Sequence, residues 1–232
     1  MTWLIAGLLI FLGVHSIRIF DEGLRTRTLA RWGEMPFKGA YSLLSVLGFV
    51  ILIYGYGQAR LNPMPLYELP LGFRHASTLL VLFAMILLVA AYVPGNWFKV
   101  KMKHPMVLGV KLWAFAHLLS NGNVADVLLF GSFLIWAIAS FRAARMRDRA
   151  REAESVDPTA QALAPTAQAA APTAPAAPTA PISLEPPDKP RVKASATVIA
   201  VVLGILVWAG FLFDWHASLI GVHPIAMPVN PS

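Results

Sequence analysis

The hydrophobic and polar positions of the chain form six long apolar segments that are separated by polar connections. A membrane-spanning helix needs about 20 mostly apolar residues, which these segments approach. The pattern therefore predicts an all-α polytopic membrane protein with six transmembrane helices. The predicted spans are residues 3–20, 38–58, 76–94, 105–119, 124–141 and 196–213.

The basic residues of the connections lie almost entirely on one side of the predicted membrane domain. Sixteen Lys and Arg residues fall in the first, third and fifth connections, whereas the second connection holds Arg60 and Arg74 and the fourth holds none. Because cytoplasmic loops are enriched in Lys and Arg, the basic side is predicted to face the cytoplasm. Both termini are then predicted to lie on the non-cytoplasmic side.

The composition supports a membrane protein and narrows its chemistry. Charged residues make up 13% of the chain, against about 25% in soluble domains. The net charge of +7 is concentrated in the connections, which favours contact with anionic lipid and argues against a nucleic-acid partner. The absence of cysteine excludes disulfides, iron–sulfur clusters and covalently attached c-type haem.

The fifth connection has an unusual composition that divides the chain into three regions. Residues 155–190 contain nine of the eighteen prolines, among repeated APTA units. Such a sequence does not form a packed core, and it predicts a disordered cytoplasmic linker at 151–194. The alternative is a proline-rich docking site for partner proteins. Residues 1–150 would form a five-helix membrane domain, completed by the sixth helix and tail at 195–232.

Two of the six histidines lie well inside predicted spans, namely His15 in the first and His117 in the fourth. An ionisable side chain inside a span is a functional hypothesis by default. A neutral imidazole ligates iron, although a lone intramembrane histidine also serves as a hydrogen-bonding partner between helices. The remaining histidines lie at or beyond the ends of spans: His75, His104, His216 and His223.

Helix geometry allows His15 and His117 to face one flat cofactor. A rise of about 1.5 Å per residue places His15 roughly 9–12 Å and His117 roughly 15–20 Å above the basic edge. With span boundaries uncertain by a few residues, the two imidazoles could reach the same level. Facing helices of a bundle commonly present such ligands. His104 lies about 220° around the helix from His117 and is not expected to share a metal with it.

Three segments carry a resemblance to a known family: FLGVHSIRIF at 11–20, HPMVLGVKLWAFAHLLSNG at 104–122 and HASLIGVHPI at 216–225. They resemble the NnrU family of bacterial inner-membrane proteins, which is associated with denitrification. That family is similar to the plant 15-cis-zeta-carotene isomerase, a haem b protein. The resemblance implies haem b, with His15 and His117 as iron ligands. Lys111 and Arg18 are then candidate partners of the haem propionates, or cations that snorkel to the membrane surface.

The resemblance leaves two classes of function open. The first is a haem b protein of the inner membrane, either linked to nitrite and nitric oxide metabolism or isomerising a hydrophobic polyene. The alternative is a haem-free accessory or assembly protein for a nitric-oxide-handling complex, with other membrane proteins as partners. A small transporter is disfavoured because few ionisable residues lie within spans and no internal repeat is evident.

Overall fold

The computed structural model describes residues 1–20, 22–156, 191–222 and 224, and these are helical apart from short connections and one isolated bridge between Pro65 and Asn123. Five of the described helices are long and apolar enough to cross a membrane. The elements are α1 (Thr2–Phe20), α2 (Glu22–Trp32), α3 (Glu34–Arg60), α4 (Leu71–Ala90), α5 (Trp97–Met102), α6 (Pro105–Ser120), α7 (Val124–Val156), α8 (Ala194–Gly210), a π-helix (Phe211–Trp215) and α9 (His216–Ile220).

The all-α fold class is confirmed, and the protein is a multi-pass membrane protein; five of the six predicted spans are long enough to cross a membrane, and the remaining one, α6, is a shorter apolar helix. The fourth predicted span is the shortest, because α6 has only 16 residues. The third span ends at Ala90, four residues before the predicted boundary. It ends there because the Asn96 side chain donates hydrogen bonds to the carbonyls of Ala90 and Val93 and closes the turn.

The boundaries of the predicted linker differ from the observed helices. Residues 142–154, RAARMRDRAREAE, extend the fifth span as a charged helix, as their sequence predicts, so α7 overlaps the region assigned to the linker from residue 151, and α8 begins at Ala194. Charged residues such as Arg and Glu are good helix formers, so the apolar span extends into a polar helical end without a break. Residues 157–190 and 225–232 lie outside the described part of the chain, so the disorder of the linker stays a prediction.

The membrane helices pack in a row in the order α3, α1, α7, α6, α4, α8. Small residues allow the closest contacts, as is usual where lipid supplies no hydrophobic driving force between helices. On α3, Gly55 lies directly against the backbone of Leu4 in α1, and on α8, Gly204 lies against Ile86 of α4. The row places α7 between α1 and α6, which carry the two intramembrane histidines.

Contacts between connections lie at the two ends of the helices, one end on each side of the predicted membrane. At the end that carries the predicted cytoplasmic loops, called the basic end here, Arg147 donates to the carbonyl of Arg18 (3.1 Å). At the opposite end, Arg60 donates to the carbonyl of Ile220 (3.1 Å), and the Tyr67 hydroxyl donates to the carbonyl of Leu118 (2.5 Å). The side of the membrane that each end faces stays a prediction.

Candidate functional site

His15 lies in the half of α1 nearer the basic end and is held by its own helix. Its Nδ1 is 2.7 Å from the carbonyl oxygen of Phe11. Because a carbonyl only accepts hydrogen bonds, Nδ1 carries the proton and Nε2 keeps its lone pair. Nε2 has no hydrogen-bond partner in the described part of the chain. The imidazole is therefore in the tautomer that can bind a metal.

Aromatic rings surround His15, and one of them carries an unused donor. The rings of Phe11, Tyr41 and Trp136 lie 4.3, 5.4 and 6.2 Å from the imidazole, centroid to centroid. Trp136 Nε1 is buried without a hydrogen-bond acceptor among the described residues. A buried unsatisfied donor costs about 1–3 kcal/mol. The sequence analysis did not single out Trp136, since a tryptophan in an apolar helix carries no signal of its partners.

His117 lies near the end of α6 that is opposite the basic end, and it has the same hydrogen-bond arrangement as His15. Its Nδ1 is 2.9 Å from the carbonyl oxygen of Trp113, which again leaves Nε2 with a free lone pair. The ring stacks on Phe130 at 4.5 Å between centroids. In contrast to His15, His117 lines a cavity of about 230 Å³. This cavity is called the His117 cavity below.

The two intramembrane histidines do not meet. His15 contacts Trp136 and His117 contacts Phe130 on the same helix, α7. Six residues of α-helix correspond to a difference in level of about 9 Å. Two imidazole nitrogens that bind one metal from opposite sides are only about 4 Å apart, since each bond is about 2 Å long. These contacts place the two imidazoles at different levels along α7 rather than beside each other.

A chain of aromatic contacts connects the two histidines. Phe11, which touches His15, lies 5.8 Å from Phe133, and Phe133 lies 5.6 Å from Trp113, which touches His117. The pairing of His15 and His117 at one iron, which the family resemblance implies, stays a prediction.

The His117 cavity lies at the end of the helices opposite the basic end, where α4, α6 and the segment after α8 come together. His216, the first residue of α9, lines it together with His117 and Arg74. The Trp208 indole donates to the carbonyl of Thr78 (3.1 Å) and fixes α8 beside α4. The full lining is Arg74, Ser77, Thr78, Val81, His117, Ser120, Asn121, Trp208, Phe211, Leu212, His216, Val222 and Pro224.

Comparison with known proteins identifies the family. The family model described as NnrU protein matches residues 3–224. The chain belongs to the NnrU family. No curated protein and no solved structure matches the chain significantly. The matched range includes the segments that carry His15, His117 and His216.

In this NnrU protein, the two predicted propionate partners do not lie at the His117 cavity. Arg18 is in the last turn of α1 at the basic end, three residues after His15. Lys111 is on α6, six residues before His117 and about 9 Å from its level. The cation that does line the cavity is Arg74, whose side chain is exposed and has no ion-pair partner in the described part of the chain. Sequence reasoning assigned it only to a loop.

A buried carboxylate lies close to the cavity but is fully used by its neighbours. Tyr56 donates to Oδ1 of Asp126 (2.6 Å), and the backbone and side-chain nitrogens of Asn123 both donate to Oδ2 (3.1 and 2.9 Å). These bonds cap the start of α7 in this NnrU protein. Among the described residues, no group of three or more His, Cys, Asp or Glu side chains is arranged to hold a metal. The histidines of the cavity are thus the available ligands there.

Proposed function

We propose that this NnrU protein binds haem b in the inner membrane through His117 and acts in the metabolism of nitrite or nitric oxide. The observation that carries the proposal is the state of His117. Its imidazole lies within an apolar helix, its Nδ1 is committed to the Trp113 carbonyl, its Nε2 has no hydrogen-bond partner in the described part of the chain, and the residue lines a cavity. Haem held by His117 would supply redox-active iron able to bind a small molecule such as nitric oxide.

The chain contributes orientation and basicity to this ligand. A hydrogen bond from Nδ1 to a carbonyl fixes the tautomer and the ring orientation of a ligating histidine and raises its basicity. Stacking on Phe130 restrains the ring further. Arg74 places a permanently charged guanidinium at the cavity, which suits a carboxylate or a small anion such as nitrite. Each of these features supports a ligand role for His117.

The lining of the cavity, rather than its size, favours nitrogen oxides over a polyene as the substrate class, because haem b and a polyene both exceed its volume. Pockets for drug-sized ligands occupy about 300–1,000 Å³, whereas the His117 cavity occupies about 230 Å³. A long polyene would need an extended apolar slot beside the metal. The lining instead includes polar side chains such as Arg74, Ser77 and Asn121, which favour a small polar ligand over a polyene.

The proposal is tested by the reduced-minus-oxidised absorption spectrum of the full-length protein purified in detergent. We expect a b-type spectrum that disappears in His117→Ala. His104→Ala is the matched control, because His104 is at the other end of α6 and pairs with Asp148 at 2.9 Å, away from the cavity. It should keep the spectrum. A folded but colourless wild type, expressed with ample haem, would overturn the proposal in favour of a haem-free accessory protein.

The physiological part of the proposal has its own test. Cells that lack the protein should consume nitrite or nitric oxide more slowly under denitrifying conditions. The wild-type gene should restore the rate, and the His117→Ala variant should not. Equal restoration by both versions would show that the histidine has no part in this process.

A further inference from the structure

His216 presents a second imidazole to the cavity in the same state as His117. Its Nδ1 is 2.6 Å from the carbonyl oxygen of Val222, so Nδ1 carries the proton and Nε2 keeps the lone pair. No described residue forms a hydrogen bond with that Nε2. Because the two nitrogens lie on opposite sides of an imidazole ring, Nε2 points away from the backbone that holds Nδ1. Two histidines that each keep an unused Nε2 lone pair therefore line one small cavity.

The local backbone is built to hold His216 in this position. The π-helix Phe211–Trp215 interrupts the regular turns of the last span immediately before His216, and such segments frequently occur at functional sites. Gly221 then adopts φ +75°, a left-handed conformation that glycine accepts without strain, and turns the chain so that Val222 reaches back to His216. Arg60 anchors α9 through the Ile220 carbonyl.

We propose that the His117 cavity is a transition-metal centre in which Nε2 of His117 and Nε2 of His216 are the protein ligands. Arg74 binds an anionic group that the metal carries. The inference deepens the proposed function, because it uses the same His117 and names its partner. His15 is not part of this centre, since it lies about 9 Å from the level of His117.

The chemistry of the lining fits this assignment. Neutral imidazole suits iron, copper and zinc, and a site with two protein ligands leaves positions open for other ligands. The guanidinium of Arg74 supplies the positive charge that two neutral imidazoles lack. Two sources share this chemistry, namely haem with its carboxylates and a single metal ion with a small anion. A cavity of about 230 Å³ holds a single metal ion with a small anion without widening.

The first experiment measures metal content and absorption of the full-length protein after purification in detergent. The variants are His117→Gln and His216→Gln, with His15→Gln as the matched control inside another span. Size-exclusion chromatography and thermal melting confirm that each is folded. We expect the wild type and His15→Gln to retain metal, and both cavity variants to retain at least tenfold less. Wild-type metal content in folded His216→Gln would overturn the inference.

The absorption spectrum distinguishes haem from a single metal ion. It also shows whether this inference or the proposed function fails. A b-type spectrum that weakens in His216→Gln supports both. Metal without porphyrin, lost in both cavity variants, supports the centre and overturns the haem proposal. A b-type spectrum that is unchanged in His216→Gln supports the haem proposal and overturns this inference.

A second experiment needs no variant and covers the case in which His216→Gln does not fold. The chelator-treated wild-type protein is exposed to diethyl pyrocarbonate, which modifies accessible imidazoles, with and without Zn²⁺. Mass spectrometry reads the modification of each histidine. We expect Zn²⁺ to protect His117 and His216 at least tenfold and to leave His75 and His104 unprotected. Equal modification of His216 in both samples would overturn the inference.

Discussion

The contact between α1 and α3 leaves no room for a side chain at Gly55, which gives a sharp test of the helix row. A Cβ at this position would lie 2.7 Å from the Cα of Leu4 and closer still to the backbone atoms beside it. Leu4 is fully buried. Since backbone rather than a flexible side chain blocks the space, the two helices must move apart to accept even alanine.

The expected cost of Gly55→Ala follows from overpacking, which typically costs about 1–3 kcal/mol. A cost in this range changes the unfolding equilibrium constant roughly 5- to 150-fold, because each 1.4 kcal/mol corresponds to a factor of ten. Gly57→Ala is the matched control on the same helix, since its added Cβ meets no atom within 4 Å among the described residues. It should be neutral or slightly stabilising, as alanine forms helices better than glycine.

The assay is reversible unfolding in mixed detergent micelles, followed by helical circular dichroism for both variants and the wild type. Gly55→Ala should unfold at lower denaturant and Gly57→Ala should not. Metal content should be unchanged in Gly55→Ala, because α1 is not part of the His117 cavity. Equal stability of the two variants would refute the described packing of α1 on α3.

Three further predictions concern polar groups at and around the helices. Asp126→Asn should lower the free energy of unfolding by about 1–3 kcal/mol, because an amide has one acceptor oxygen and its NH2 would face either the Tyr56 hydroxyl or the Asn123 nitrogens, all of which are donors. Tyr56→Phe removes only one of the three bonds and should cost less; the opposite order in thermal melts would contradict this. Trp136→Phe should be neutral or stabilising in unfolding assays because it removes an unsatisfied donor, and a loss above about 1 kcal/mol would reveal a partner for Nε1. His104→Ala should cost less than about 1 kcal/mol, as its contact with Asp148 is partly exposed to water; a larger loss in thermal melts would refute that reading.

Much of the fold follows from the sequence because the bilayer thickness dictates the length of an apolar segment. The first span was predicted within one residue, and the start of α7 was predicted correctly. The end of α7 does not coincide with the end of its apolar segment, because the helix continues through charged residues that have high helix propensity. The order of the helices in the row could not be predicted, because it depends on which small residues meet across helices.

Sequence reasoning identified one of the two histidines of the candidate site and missed the other. Its histidine inside a span, His117, stands out by composition alone. The difference in level between His15 and His117 was already present in the rise per residue, and only uncertainty in the boundaries allowed them to meet. His216 could not be assigned to the site, because the π-helix and the turn at Gly221 decide its direction. The HASLIGVHPI segment was the signal that marked its region.

The central claim is that His117 binds the metal cofactor and His15 does not share it. The most direct measurement is the reduced-minus-oxidised spectrum of the purified protein, recorded for the wild type, His15→Ala and His117→Ala at equal concentration. The account predicts a b-type spectrum that His15→Ala retains and His117→Ala loses. Loss of the spectrum in both variants would contradict it and would establish the His15–His117 pair instead.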